Sequence, residues 1–90
     1  MDDELVVRAQ NGDQAAFAML AVEIGPRFHA VAYRILRDVA LAEDAVQQAL
    51  LDTWQDLPRL SEPARFEAWS YRLLVRICYA HARRARRRLP

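Results

Sequence analysis

The sequence predicts an all-α protein, a compact bundle of three to four helices, on three observations. Apolar residues recur at spacings of three and four rather than alternating, which is helical periodicity. Alanine, leucine and arginine dominate, and glycine occurs only at positions 12 and 25, which leaves little material for hairpin turns. Caps and breakers fall at Asn11-Gly12-Asp13, at Asp38 and across the proline-containing stretch 58–65, dividing the chain into four segments. Ninety residues bury one modest core, so a single domain over 1–90 is expected.

The first segment, DDELVVRAQ, is a short helix with acids in its first turn, where they suit the positive end of the helix dipole. Asn11-Gly12 stops it, and the Asp13 carboxylate caps the helix that follows. That second helix, QAAFAMLAVEIGPRFHAVAYRILR, sets Phe17, Leu20, Ile24, Phe28, Ala32 and Ile35 close to one face. Pro26 lacks an amide hydrogen and crowds the preceding turn, so a kink or short break is expected near Gly25. Asp38 caps a third helix over 39–57, with Val46, Leu50, Thr53, Trp54 and Leu57 as its buried stripe. Pro58 ends it, PRLSEPAR forms a loop, and a last helix covers 65–87.

Charge divides the chain in two. From Arg65 onward there are eight arginines and one acid, Glu67; before it, five arginines face eleven acids. The formal net charge of +1 therefore conceals halves of −6 and +7, an asymmetry that points to a polyanionic partner. All thirteen cations are arginine.

On the last helix, Phe66, Trp69, Leu73, Ile77 and Ala80 fall within a sector of about 80° and form the expected core face. Arg72, Arg76, Tyr79 and Arg83 step by four, three and four into a second stripe beside it. A cationic row holding one aromatic suits a nucleic-acid backbone with bases able to stack. The same arginines also fit a solvated helix end favoured by the dipole, or an amphipathic helix on an anionic membrane. On the third helix, Asp44, Gln48, Leu51 and Gln55 lie opposite the apolar stripe and Gln47 borders it. Amides and one carboxylate around a single leucine fit a small protein-binding surface, and equally a solvated face with one stray leucine.

Other chemistries find little here. Cys78 is alone, which excludes an intramolecular disulfide and suits a cytoplasmic protein; it reads as a buried or half-buried small residue. No apolar run approaches the roughly 18 residues that a membrane span needs. His29 and His81 lack the neighbouring ligands of a metal site, Ser61 and Ser70 lack a histidine partner, and no glycine-rich phosphate loop occurs. Neither a cofactor nor a metal nor enzymatic activity is expected.

Three stretches in register, DELVVRAQNGDQAAF, AEDAVQQALLDTW and RFEAWSYRLLVRICYAHARRARRR, resemble the second conserved region of the bacterial extracytoplasmic-function (ECF) sigma factors. The resemblance spans essentially the whole chain and implies a non-enzymatic role in transcription initiation, in the cytoplasm. It implies that Asp44, Gln47, Gln48, Leu51 and Gln55 face the clamp helices of the RNA polymerase β′ subunit. It further implies that the minus-ten promoter element is held as single-stranded non-template DNA. The loop of Leu60, Ser61, Glu62, Pro63, Ala64 and Arg65 would capture a base flipped from the stack, with Arg72, Arg76, Tyr79 and Arg83 along the strand. An anti-sigma protein is a further partner that the resemblance implies.

Departures accompany the match. Gln48 stands where the family usually has an acid, Arg76 where many members have asparagine, and Ala80 where many have aspartate. The promoter preference of the family is therefore not transferred. The second helical domain of a complete factor, which reads the minus-thirty-five element, is absent from 1–90, so the chain is expected to be an excised domain, monomeric when isolated, with a natural one-domain protein as the alternative. Two other classes stay open: a helical protein-interaction domain with a solvated arginine-rich end, and a duplex-binding helix-turn-helix protein. The long proline-containing connection before the last helix argues against the latter, which needs a turn of three or four residues.

Overall fold

Four helices follow one another: α1 (Asp3–Gln10), α2 (Gln14–Leu36), α3 (Val39–Asp56) and α4 (Phe66–Arg87). Two single 3₁₀ turns, Leu57–Arg59 and Pro63–Arg65, lie between α3 and α4. The computed structural model describes residues 2–89; Met1 and Pro90, the ends of the expected 1–90 domain, lie outside the described residues. No strand occurs among the described residues, and the fold is the predicted all-α bundle.

The caps explain the helix starts. Asp2, Asp13 and Asp38 each adopt extended backbone and accept from amides of the first turn, at Glu4, Ala16 and Leu41, all at 3.0 Å. Gly12 takes φ 95° in the α1–α2 turn, where an L side chain would be strained. Arg37 takes the left-handed conformation, φ 55°, as the C-cap of α2, and its amide donates to the Tyr33 carbonyl at 2.7 Å.

The break expected near Gly25 does not occur: α2 continues through Pro26. Proline deprives only the Val22 carbonyl of its helical donor, and Val22 and Pro26 both face solvent, where water can satisfy that oxygen. By length and composition α2 would also suffice to cross a membrane, with a mean hydropathy of 1.2 over its most apolar stretch. This corrects the expectation that no stretch is apolar enough: Glu23 and Arg27 interrupt the apolar residues of α2 without lowering the average enough. In this fold α2 is the central core helix, packing against α1, α3 and α4 through Ala16, Leu20, Ile24, Phe28 and Ala32.

The buried faces of α3 and α4 are rotated from those expected. On α3 the fully buried residues are Ala42, Ala45, Val46, Ala49 and Thr53, while Leu50 and Trp54 cover the edge. On α4 they are Phe66, Ser70, Leu73, Leu74 and Cys78, with Trp69 and Ile77 half-buried. The rotation is about 60° on each helix at 100° per residue. Small residues occupy the middle of the seam, which brings the helix axes close, and large side chains close its flanks. The two buried hydroxyls are satisfied within their own helices, Thr53 Oγ1 on the Ala49 carbonyl at 2.6 Å and Ser70 Oγ on the Glu67 carbonyl at 3.2 Å. Beyond Cys78 no described residue of α4 is fully buried, so its arginine-rich end extends past the bundle and contributes to the 48 Å long axis.

Candidate functional site

Two separate surfaces carry the predicted residues. On α3, Asp44, Gln47, Gln48, Leu51 and Gln55 are all exposed, and Leu51, at 58% exposure, points directly away from the buried alanines. Gln48 Nε2 donates to Asp52 Oδ1 at 2.8 Å. A carboxylate therefore stands one turn beyond position 48, tied to the glutamine itself. Beside this row lies a hollow of about 470 Å³, walled by Phe17, Leu50, Leu51 and Trp54 and edged by Gln14 and Gln47. Its apolar walls and amide rim match the chemistry of a protein-docking site. Sequence reasoning placed Phe17, Leu50 and Trp54 in the core and so missed the hollow; of the three only Trp54 lies at the edge of its apolar stripe, and the hollow forms where the start of α2 meets the end of α3.

On α4, Arg72, Arg76 and Arg83 are exposed and Tyr79 is 53% exposed. Because the buried face is rotated, this row stands nearly opposite the core rather than beside it. It borders a second open hollow, also about 470 Å³, lined by Trp69, Tyr71, Arg72, Val75 and Arg76. Two aromatic rings and two guanidinium groups around one depression can stack a planar ring and pair a phosphate. On its far side Arg27 lies 5.2 Å from the Tyr71 ring centroid and 3.7 Å from Glu67, which ties α2 to α4.

The connection that leads into α4 is more ordered than a simple loop. Ser61, Glu62, Ala64 and Arg65 are exposed and Pro63 is half-buried. Leu60, expected at the base-capturing loop, is half-buried and its side chain packs against the core, so the loop is anchored at that end. Arg65 Nε donates to Glu62 Oε2 at 3.0 Å, and the Arg65 amide donates to the Glu62 carbonyl at 2.9 Å. This pairing offsets a cation at the start of α4, where the helix dipole disfavours one. Gln10 Nε2 reaches the same connection from α1, a contact that sequence reasoning did not find.

Few ionisable groups are perturbed. The Ala16 amide and the Arg8 side chain hold the Asp13 carboxyl below its ordinary value. Burial pushes the Cys78 thiol up. Among the described residues no three His, Cys, Asp or Glu side chains converge as metal ligands would.

Two exposed rows thus stand on different helices of one bundle, an amide-rich row beside an apolar hollow on α3 and a cationic row with one aromatic on α4. The chain belongs to the sigma-70 region 2 family, whose model matches residues 20–88. It is 28% identical over 89 residues to the RNA polymerase sigma-H factor of Pseudomonas aeruginosa, covering 99% of this chain and 46% of that one. It is 36% identical over 76 residues to the ECF RNA polymerase sigma-E factor of Escherichia coli, covering 82% of this chain and 38% of that one. The chain thus spans less than half the length of these curated relatives. No solved structure gives a significant match.

Proposed function

We propose that this domain serves transcription initiation as the second region of an ECF-type sigma factor. Its α3 face docks on the clamp helices of the polymerase β′ subunit. Its α4 face and the preceding connection hold the minus-ten element as single-stranded non-template DNA. The observation that carries the reading is the division of labour between two exposed rows on different helices. The row around Leu51 is poor in charge and flanks an apolar hollow, while the row of Arg72, Arg76, Tyr79 and Arg83 is cationic with one aromatic. Each row faces away from the core, so both partners can be engaged at once.

The chemistry suits an opened strand. Extruding a base costs a few kcal/mol in a duplex and far less once the strands have parted, and an unstacked base offers its Watson–Crick edge. Arginines spaced along one helix face follow a phosphate backbone, and Tyr79 supplies a stacking surface. The same α3 and α4 surfaces are those an anti-sigma protein would cover to keep the domain from polymerase and DNA.

Binding to a purified β′ clamp-helix fragment tests the first half, with Leu51→Arg as the matched control. Micromolar or tighter binding that the substitution abolishes, with helical circular dichroism unchanged, is expected. Competition between single-stranded and duplex forms of one promoter sequence tests the second half. A preference for the intact duplex would overturn the strand reading, and absence of clamp-helix binding by a well-folded protein would overturn the docking reading.

A further inference from the structure

Gln10 ends α1 one turn beyond Val6, on the side of the helix that packs inward, and is half-buried there. Its Nε2 lies 2.7 Å from the Leu60 carbonyl oxygen and 3.1 Å from the Leu57 carbonyl oxygen. Both partners are acceptors, so both amide hydrogens are used, and the flipped amide would set oxygen against two oxygens. Leu57 follows directly on α3, where carbonyls run out of intrahelical donors, and its oxygen also accepts from the Leu60 amide at 3.1 Å. One side chain thereby pins both ends of the 3₁₀ turn Leu57–Arg59, and with it the point where the connection to α4 departs.

The group doing this is itself rigidly held. Leu5, Val6 and Ala9 bury α1 against the core. Immediately after Gln10, Asn11 Nδ2 donates to the Val7 carbonyl at 3.0 Å. Arg8 Nε and Nη2 donate to Asp13 Oδ2 at 3.1 and 3.0 Å, closing the α1–α2 turn. Downstream, Glu62 and Arg65 pair with each other, and the 3₁₀ turn Pro63–Arg65 rests against α1 and α4. Leu60 is thus the upstream anchor of this stretch, by its side chain on the core and by its carbonyl on Gln10.

We infer that Gln10 is a positioning residue for base capture, which rests on the promoter reading above. It touches no nucleotide; it holds the connection 60–65 in its binding shape before DNA arrives. A loop that must order only on binding gives weaker affinity and poorer discrimination between bases. Helix α1, remote from both exposed rows, thereby sets the geometry of readout.

The test uses this chain with Gln10→Met, which removes both donors at similar length, and Gln10→Glu, which keeps the shape and sets a carboxylate against two carbonyls. Selection from a pool of randomised single-stranded DNA gives the base preference of each protein. Binding to poly(dT) across a salt series gives the backbone contribution, and hydrogen exchange reports the connection 60–65. Both variants are expected to lose about tenfold in discrimination at the captured base, the scale of one or two lost hydrogen bonds. They are also expected to exchange faster across 60–65 while holding poly(dT) affinity within about twofold, because the arginine row is untouched. Should either variant fail to fold, Gln10→Asn, one methylene too short to reach Leu60, replaces it. Unchanged base preference overturns the inference even if exchange accelerates, and so does a loss of selected and poly(dT) binding in equal measure. A parent protein that selects no base at all overturns the promoter reading itself, an outcome distinct from a parent that selects and a variant that selects equally well.

Discussion

The Phe17 ring packs against the Trp54 ring with centroids 5.0 Å apart and planes inclined at 55°, joining the start of α2 to the end of α3. This tilted arrangement is favoured over a face-to-face stack by the charge distribution of the two rings. It also makes the wall of the hollow beside Leu51, so core packing and the proposed docking surface share these residues.

That sharing predicts a contrast between two substitutions. Leu51→Arg lies on the outer face and is expected to change stability by no more than about 0.5 kcal/mol while abolishing clamp-helix binding. Phe17→Ala removes half-buried packing and is expected to cost about 2 kcal/mol of stability as well as weakening that binding. Denaturation midpoints measured beside binding isotherms separate the two effects.

The arginine row predicts a salt signature. Arg76→Gln is expected to reduce the slope of log affinity against log salt for single-stranded DNA by about 0.7, the value for one phosphate contact. Tyr79→Ala is expected to weaken binding by about 1–3 kcal/mol with little change in that slope, since stacking releases no counterion. Titrations at several salt concentrations distinguish the two contributions.

Asp13 predicts an acid-sensitive stability. Its carboxyl is held below the ordinary value by the Ala16 amide and the Arg8 side chain. A depressed folded value means that the stabilisation is fully present above the unfolded value, about pH 3.9, and is lost as pH falls through the folded one. Asp13→Asn is expected to flatten the stability profile below about pH 4, which urea titrations over pH 2–6 would register.

Arg37 predicts a stabilising substitution. A side chain at φ 55° carries a left-handed strain of about 1–2 kcal/mol that glycine does not, although glycine gains entropy when unfolded. Arg37→Gly is expected to raise stability by about 0.5–1 kcal/mol and the melting temperature by several degrees.

Cys78 predicts a protected thiol. It is fully buried, and burial raises its pKa. Reaction with a thiol reagent at neutral pH is expected to follow global unfolding, so its rate should rise with denaturant as the unfolded population rises. A rate equal to that of a free cysteine in the native protein would contradict the packing described.

Much of this was legible in the chain. The four helices and the caps at Asp13 and Asp38 follow from periodicity and punctuation, which are local properties; the Asp2 cap of α1 was not read from the sequence. The exposure of Leu51, of the α3 amides and of the α4 arginine row also follows, because polar rows on amphipathic helices have nowhere to go but outward. Family membership followed from three motifs in register. Less legible were the buried faces of α3 and α4. Counting large apolar residues put Leu50, Trp54 and Trp69 at the centre, but Ala42, Ala45, Ala49, Ser70 and Cys78 are there instead.

The sequence by itself determined the helices, their ends and the sign of charge on each outward face, since each is set within a few residues by backbone and side-chain chemistry. Only the tertiary structure decided which small residues let the helices approach, that Phe17 and Trp54 would wall a hollow, and that Gln10 would meet Leu57 and Leu60 across 47 and 50 residues. Those outcomes depend on how closely two helices pack and on their relative rotation, which is settled by the fit of all their side chains together rather than by any one stretch.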